Sequence, residues 1–372
     1  MKLVVISSSP FVPMNSEYAA YSPYVKELLL WSKHSDEIAF FCPVWEKDNG
    51  LLISKIPFPI AKFFIAKEFN IKTFSNFLKA FQYSFWNFYQ LFQAMRWADH
   101  IHLRCPGNIG LMGCMVQVFF PNKIKTAKYA GNWDPNSKQP WSYKLQQWIL
   151  SNTFLSKNMQ VLVYGTWEGS SKNIKPFFTA SYTEADKTLI APRNLDSNIH
   201  LIYVGTFVKG KRPLYAIQLV EALINRGLKC TLSLYGHGKE LENLKMYIHH
   251  NKLQDFIFIE GNQPHEVLKK AYQEAHFMVL PSESEGWPKV VAEAMFWGCL
   301  PIATRVSCVP NMLDNGERGV LLSMNFDADV NQIAAVFQDP KGYQEKVEKS
   351  ILWSRKYTLD LFENEIKALL HS

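Results

Sequence analysis

The sequence predicts an α/β protein built as two Rossmann-like domains, each a doubly wound parallel sheet. In the second half of the chain, short apolar strands alternate with amphipathic helices of about ten residues. The first half alternates in the same way, less cleanly. Between them Thr179–Asn198 is polar and has no apolar period, which marks a linker. At 372 residues the chain is also too long for one ordinary core.

In the first half Leu3–Ile6, Ile38–Phe41, His100–Leu103, Lys125–Tyr129 and Gln160–Tyr164 read as strands. Glu17–Ser32, Ile109–Val118 and Ser142–Leu150 read as helices. The second half reads as strands Ile199–Val204, Cys230–Tyr235, Phe256–Glu260, Phe277–Leu280, Leu300–Ala303 and Val320–Leu322. Its helices are Leu214–Asn225, stopped by Gly227, then Glu240–His250, His265–Glu274 and Lys289–Trp297. These runs place an N-terminal domain at 1–180 and a C-terminal domain at 199–354, with a last helix at 355–372 that crosses back to the first domain.

Hydrophobic residues make up 48% and charged residues 20%, so the chain is globular rather than disordered. No apolar run approaches the ~18 residues of a membrane span. Leu3–Ile6 is too short for a signal-peptide core, and a cytoplasmic protein, at most peripheral on the inner face of the membrane, is expected. The cysteines, Cys42, Cys105, Cys114, Cys230, Cys299 and Cys308, form no CxxC pair and have no histidine at zinc spacing, so they read as buried thiols. Met1–Lys187 carries 20 Lys/Arg against 12 Asp/Glu, whereas the remainder carries 20 against 21. A basic N-terminal half points to an anionic partner.

The most informative segment runs from Pro281 to Met295, PSESEGWPKVVAEAM. It follows a buried strand and opens a helix. Pro288 suits the first helical position, where no N–H is needed. Gly286 lets a ligand approach the backbone, and the helix start attracts phosphate. Lys289 and Glu293 are four apart and suit a plain helix-surface ion pair.

Glu285 and Glu293, separated by seven residues with EGWP at the start and EAM at the end, resemble the signature of retaining glycosyltransferases of family 4, the glycosyl transferases group 1. Tyr203-Val204-Gly205-Thr206-Phe207 with Lys211-Arg212-Pro213 is similar to that family's first strand and basic loop. Gly236-His237-Gly238, Gly261 and Gly298–Ala303 follow in the family's order. The resemblance implies a GT-B fold, its two domains facing across a cleft, with the nucleotide sugar on the C-terminal domain and the acceptor on the N-terminal one. It implies Glu285 and Lys211 as catalytic residues, Glu293 on the ribose, and Gly205, Thr206, Arg212, Gly236, Gly286, Trp287, Pro288 and Lys289 around the donor. Thr206 departs from the family's usual arginine, and Arg212 or Lys209 is the candidate substitute. Ser7–Pro13 replaces a Gly-Gly pair. Where a histidine is usual, the chain reads KYAGNWD, with Asn132 and Asp134 as candidate acceptor or cleft residues.

The expected reaction is retaining transfer of a hexose-type sugar to a glycan or lipid-linked acceptor in cell-surface polysaccharide or glycolipid synthesis, without metal or other cofactor. A nucleotide-sugar epimerase or phosphorylase on the same fold, and a non-catalytic nucleotide-sugar-binding subunit, stay open. Asp327-Ala328-Asp329 spells a metal-site motif but reads as a helix start. His100 and His102 share one strand face with no third ligand. Pro57–Asp99 is crowded with aromatics, from Phe58, Phe63, Phe64 and Phe69 through Phe74, Phe77, Phe81, Tyr83, Phe85, Trp86, Phe88, Tyr89 and Phe92 to Trp97. Lys62, Lys67, Lys72 and Lys79 are interleaved with them. This composition suits either core-facing helices with a solvated lysine face or an anionic membrane surface. No nucleic-acid-binding module is recognisable.

Overall fold

The structure, a computed structural model, describes residues 1–371 apart from 16, 51 and 69–73; over 74–82 it describes a helix but not its side chains. Phe69 and Lys72 therefore lie outside the described residues, as do the side chains of Phe74, Phe77, Lys79 and Phe81. The chain forms two compact units, one of Met1–Phe177 with the C-terminal residues from Glu363, the other of Phe178–Phe362.

The first unit runs β1 (Lys2–Ile6), β2 (Phe11–Met14), β3 (Glu17–Tyr21), α1 (Ser22–Ser32), β4 (Glu37–Cys42), β5 (Ile53–Lys55), β6 (Lys62–Ile65), α2 (Phe74–Trp97), β7 (His100–Cys105), α3 (Asn108–Val116), β8 (Ile124–Tyr129), α4 (Trp141–Ser151), β9 (Met159–Tyr164) and β10 (Ile174–Phe177). Seven of these strands make a parallel sheet in the order β10-β9-β8-β7-β1-β4-β6. From β1 the chain first winds toward β6 and then turns back through β7 toward β10. The direction of winding therefore reverses between β1 and β7, the place where open α/β sheets leave a crevice. Strands β2, β3 and β5 pair antiparallel as a small separate sheet.

Two sequence expectations change here. Glu17–Ser32 is not one helix: Glu17–Tyr21 is a strand, and the helix begins at Ser22 with Pro23 in its first turn. Proline lacks the N–H that an interior helical position must donate, so it can open this helix but not sit inside it. In α2 the core is met by Asn87, Leu91, Ala94 and Met95, while Phe85, Trp86, Tyr89 and Phe92 lie exposed on the far side, Phe85 at 64% and Tyr89 at 58%. A solvated lysine face was one reading of this stretch; the described face is aromatic. His100 and His102 do share a side, and both meet the Thr126 hydroxyl in the core, at 2.9 and 2.8 Å.

The second unit runs β11 (Ile199–Val204), α5 (Pro213–Asn225), β12 (Cys230–Tyr235), α6 (Leu241–His250), β13 (Ile257–Gly261), α7 (His265–Glu274), β14 (Phe277–Leu280), α8 (Lys289–Phe296), β15 (Leu300–Thr304), α9 (Val309–Met312), β16 (Val320–Leu322), α10 (Phe326–Phe337), α11 (Pro340–Ser354) and the start of α12 (Leu359–Leu370). Its sheet is parallel in the order β13-β12-β11-β14-β15-β16, so the winding reverses between β11 and β14. The strands read as unbroken apolar runs because both faces are covered.

Thr179–Asn198 is not a free linker. Tyr182 is buried against Phe296 and Trp297. Arg193 donates to the carbonyls of Tyr272 and Gln273 at the end of α7, and of Trp297 and Gly298 just beyond α8. A guanidinium at two helix C-termini satisfies carbonyls that have no partner within their helices and opposes the helix dipoles. Asp329 is also structural: it is buried, and its carboxylate accepts from Ser323, the Met324 N–H and the Tyr215 hydroxyl.

Candidate active site

In the second unit two loops leave the sheet at its reversal point. One follows β11 and runs from Gly205 to Arg212; the other follows β14 and runs from Pro281 to Pro288. A backbone bond joins them, the Glu283 N–H donating to the Gly210 carbonyl at 2.8 Å. Glycine is needed where the first loop meets the end of β12. A Cβ on Gly236 would stand 1.9 Å from the Gly205 carbonyl oxygen, and one on Gly238 2.4 Å from that of Phe207.

Lys211 and Glu285 meet across the two loops, Nζ to Oε1 at 2.5 Å. Glu285 is 9% exposed at its side chain and Lys211 30%, so the pair sits at the rim of the protein interior. Arg212 pairs with Glu283 at 3.1 Å, farther out. Arg212 has φ 49°, a left-handed conformation that turns the chain into α5, where Pro213 opens the helix. The Tyr203 hydroxyl reaches the carbonyls of Thr206 and Lys211 and so anchors the first loop from below. Burial, reinforced by the nearby Glu285 carboxylate, raises the Tyr203 pKa, and this phenol stays neutral.

The second loop is fixed from β15. The Gly286 carbonyl accepts from the Ser307 hydroxyl at 3.1 Å and from the Cys308 thiol at 3.1 Å. Burial pushes the Cys308 thiol up to about 12, so it acts as a donor here. The Trp287 ring stacks on Trp353 at 6.1 Å and meets Tyr357 edge-on. Pro288 caps α8 rather than opening it, one position earlier than the sequence suggests, and Lys289 is the first helical residue. Val291 and Ala292 donate to the Pro288 carbonyl, which leaves the N–H groups of Lys289 and Val290 at the helix start without an intrahelical acceptor.

Glu293, a turn into α8, does not pair with Lys289. Its carboxylate accepts from the Ser181 hydroxyl at 2.5 Å and the Tyr272 hydroxyl at 3.2 Å. The structure thus brings Lys211, Arg212, Gly205, Thr206, Gly236, Glu285 and Gly286 to one end of the sheet, and holds Glu293 by a separate set of partners. Ser181 was not foreseeable, since it is 112 residues from Glu293 in the chain. Ser307 and Cys308 could have been found from their place just after a strand of this sheet. In the first unit Asn132 and Asp134 follow β8, and each caps its own turn: Asn132 Oδ1 accepts from the Asp134 N–H and Asp134 Oδ1 from the Asn136 N–H. Among the described residues no group of three or more His, Cys, Asp or Glu is placed to hold a metal ion.

Comparison with known proteins agrees with this geometry. Residues 187–352 match the family described as glycosyl transferases group 1. An uncharacterized glycosyltransferase of Haemophilus influenzae is 27% identical over 194 residues, which are 50% of this chain and 54% of that protein. The N-acetyl-alpha-D-glucosaminyl L-malate synthase of Bacillus anthracis is 28% identical over 121 residues, 32% of this chain and 31% of that protein. The chain thus spans about half or less of these curated relatives. The lipopolysaccharide outer core galactosyltransferase WaaB in its apo form superposes with a TM-score of 0.69 at 17% identity, covering 100% of this chain and 99% of that one. Anabaena HepE in complex with UDP gives 0.68 at 12% identity, over 100% and 99%. At these identities the structural likeness establishes the fold. Residues 187–352 are similar to the glycosyl transferases group 1, and the chain that carries them has the two-domain GT-B fold.

Proposed function

We propose that this protein is a retaining, metal-independent glycosyltransferase that moves a hexose-type sugar from a nucleotide-diphosphate donor to a glycan or lipid-linked acceptor in cell-surface polysaccharide or glycolipid synthesis. The Lys211–Glu285 pair at the sheet reversal carries the reading. As the sugar–phosphate bond breaks, negative charge grows on the diphosphate and positive charge on the sugar. Lys211, Arg212 and the α8 N–H groups suit the first, and the Glu285 carboxylate suits the second. Without donor the two side chains neutralise each other; a diphosphate that takes Lys211 releases Glu285 toward the sugar. Glu293, held by Ser181 and Tyr272, is oriented to accept ribose hydroxyls, and Trp287, Pro288 and Lys289 line the phosphate side. The acceptor belongs to the first unit.

Melting curves with UDP, GDP and ADP sugars test the donor reading, since a ligand bound only by the folded state raises the melting temperature. One nucleotide is expected to do so, and none doing so would overturn it. Turnover is expected to persist in EDTA and the product to keep the donor's anomeric configuration by NMR. Strict Mn²⁺ dependence, or inversion, would contradict the proposed chemistry.

A second reading concerns where the protein works. The outward face of α2 bears Phe85, Trp86, Tyr89 and Phe92 with Arg96 in line, and Lys67 lies 4.8 Å from the Trp86 ring. Among the described residues no helix is long and apolar enough to cross a membrane. Aromatic rings beside cations suit the interface of an anionic bilayer, and the N-terminal half carries the cation surplus. Co-sedimentation with phosphatidylglycerol vesicles is expected, reversed by salt and weakened in a Phe85→Ser/Tyr89→Ser variant. Equal sedimentation with neutral vesicles, or none, would end this reading.

A further inference from the structure

The first unit contains a charge cluster that the donor chemistry does not use. Arg104 lies one residue from the end of β7, beside the β1/β7 reversal. Its Nη1 donates to Glu27 Oε1 at 2.6 Å, and Lys128 Nζ donates to Glu27 Oε2 at 2.9 Å. One carboxylate thus serves two cations. Lys128 is 1% exposed, Glu27 11% and Arg104 18%, so the cluster is buried, with Arg104 its most exposed member. The Tyr24 ring lies 4.4 Å from the guanidinium carbon and holds its plane. Burial, helped by Arg104, keeps the neighbouring His102 neutral, so it neither adds to nor offsets the charge. Among the described residues the guanidinium's hydrogen bonding to protein is confined to Glu27.

A surplus cation in a weakly solvated place is costly unless an anion completes it. The free edge of a guanidinium presents paired N–H donors spaced for the two oxygens of a carboxylate or phosphate. The position is also the crevice where a doubly wound sheet takes ligands. We propose that Arg104 anchors an oxyanion, a phosphate or carboxylate carried by the acceptor, with Glu27 and Lys128 setting its position. This rests on the reading that the first unit takes the acceptor. It narrows the acceptor to molecules bearing a negative group near the accepting hydroxyl, such as a sugar phosphate, a uronic acid or a hydroxy acid.

The test uses the full chain with Lys211→Ala, which weakens phosphate binding at the donor loops. Titration calorimetry with inorganic phosphate and with malonate distinguishes the two oxyanions. At least one is expected to bind, and adding Arg104→Gln is expected to weaken it by roughly tenfold or more. Arg104→Gln leaves Glu27 paired one-to-one with Lys128 and is expected to fold. Arg104→Lys, a point charge in place of a fork, is expected to fall between the two and carries the test if Arg104→Gln does not fold. Binding of neither probe, or equal binding after Arg104 is replaced, would make the cluster purely structural and overturn the proposal. The nucleotide-induced melting shift, measured with Lys211 intact, is expected to be unchanged by Arg104→Gln. If no nucleotide shifts wild type, the donor reading fails while the oxyanion result stands by itself.

Discussion

Lys211→Ala and Glu285→Ala are each expected to lower turnover by roughly 10²–10³-fold, the loss typical of one electrostatic stabiliser. The two side chains are partners at 2.5 Å, so they form one unit before substrate arrives. Their effects should therefore not multiply: the double variant is expected to lose far less than the product of the two single losses. Lys211→Ala leaves a carboxylate that is 9% exposed without its cation. That variant should weaken donor binding as well as turnover, because a negative Glu285 then repels the diphosphate. Glu285→Ala frees Lys211 and should lower kcat with little loss of nucleotide affinity. Initial rates over a donor concentration series, with melting shifts for the bare nucleotide, separate the two. Near-normal turnover in both variants would remove these residues from the chemistry.

Glu27→Ala is expected to destabilise the protein by about 3–5 kcal/mol, the range seen when one partner of a buried ion pair is removed. The change takes away the carboxylate that Arg104 and Lys128 share. Burial pushes the Glu27 carboxyl up, but the coulombic pull of Arg104 and Lys128 outweighs it and holds the carboxyl well below its ordinary 4.5. A carboxyl depressed on folding stabilises fully above its unfolded pKa and loses that contribution as pH falls toward its folded one. The gap between wild type and variant should thus be full at pH 7 and narrow progressively below about pH 4.5. Urea unfolding at a series of pH values checks both size and sign. A gap that widens on acidification would contradict the assignment.

The second unit was the more legible in sequence because its strands are covered on both faces. Unbroken runs such as Leu300–Ala303 and Phe277–Leu280 announce a parallel sheet directly. The two loops at the sheet reversal were legible for a different reason. Gly236 and Gly238 mark points where backbone meets backbone, and short spacings carry that information. What sequence could not show was contact over distance. Glu293 with Lys289 four residues before it reads as a surface pair, yet its partners are Ser181 and Tyr272. The strand β3 just before α1 is hidden in sequence because Glu17–Tyr21 continues the apolar pattern of the following helix, and Pro23 is the one local signal against it. On α2 the aromatic count suggested either burial or an interface, and only placement of Asn87, Leu91 and Met95 on the core side turned the other rings outward. Asn132 and Asp134 were named from position alone, and both side chains serve their own turn.

The Arg193 clamp bears on how the molecule can be dissected. Cutting just before Ile199, where the polar stretch ends, would strip the ends of α7 and α8 of their carbonyl partner and uncover the rings of Phe296 and Trp297. It would also remove Ser181 from Glu293. An excised second unit must therefore begin ahead of Phe178, and one begun at Ile199 would be a damaged protein rather than a minimal one.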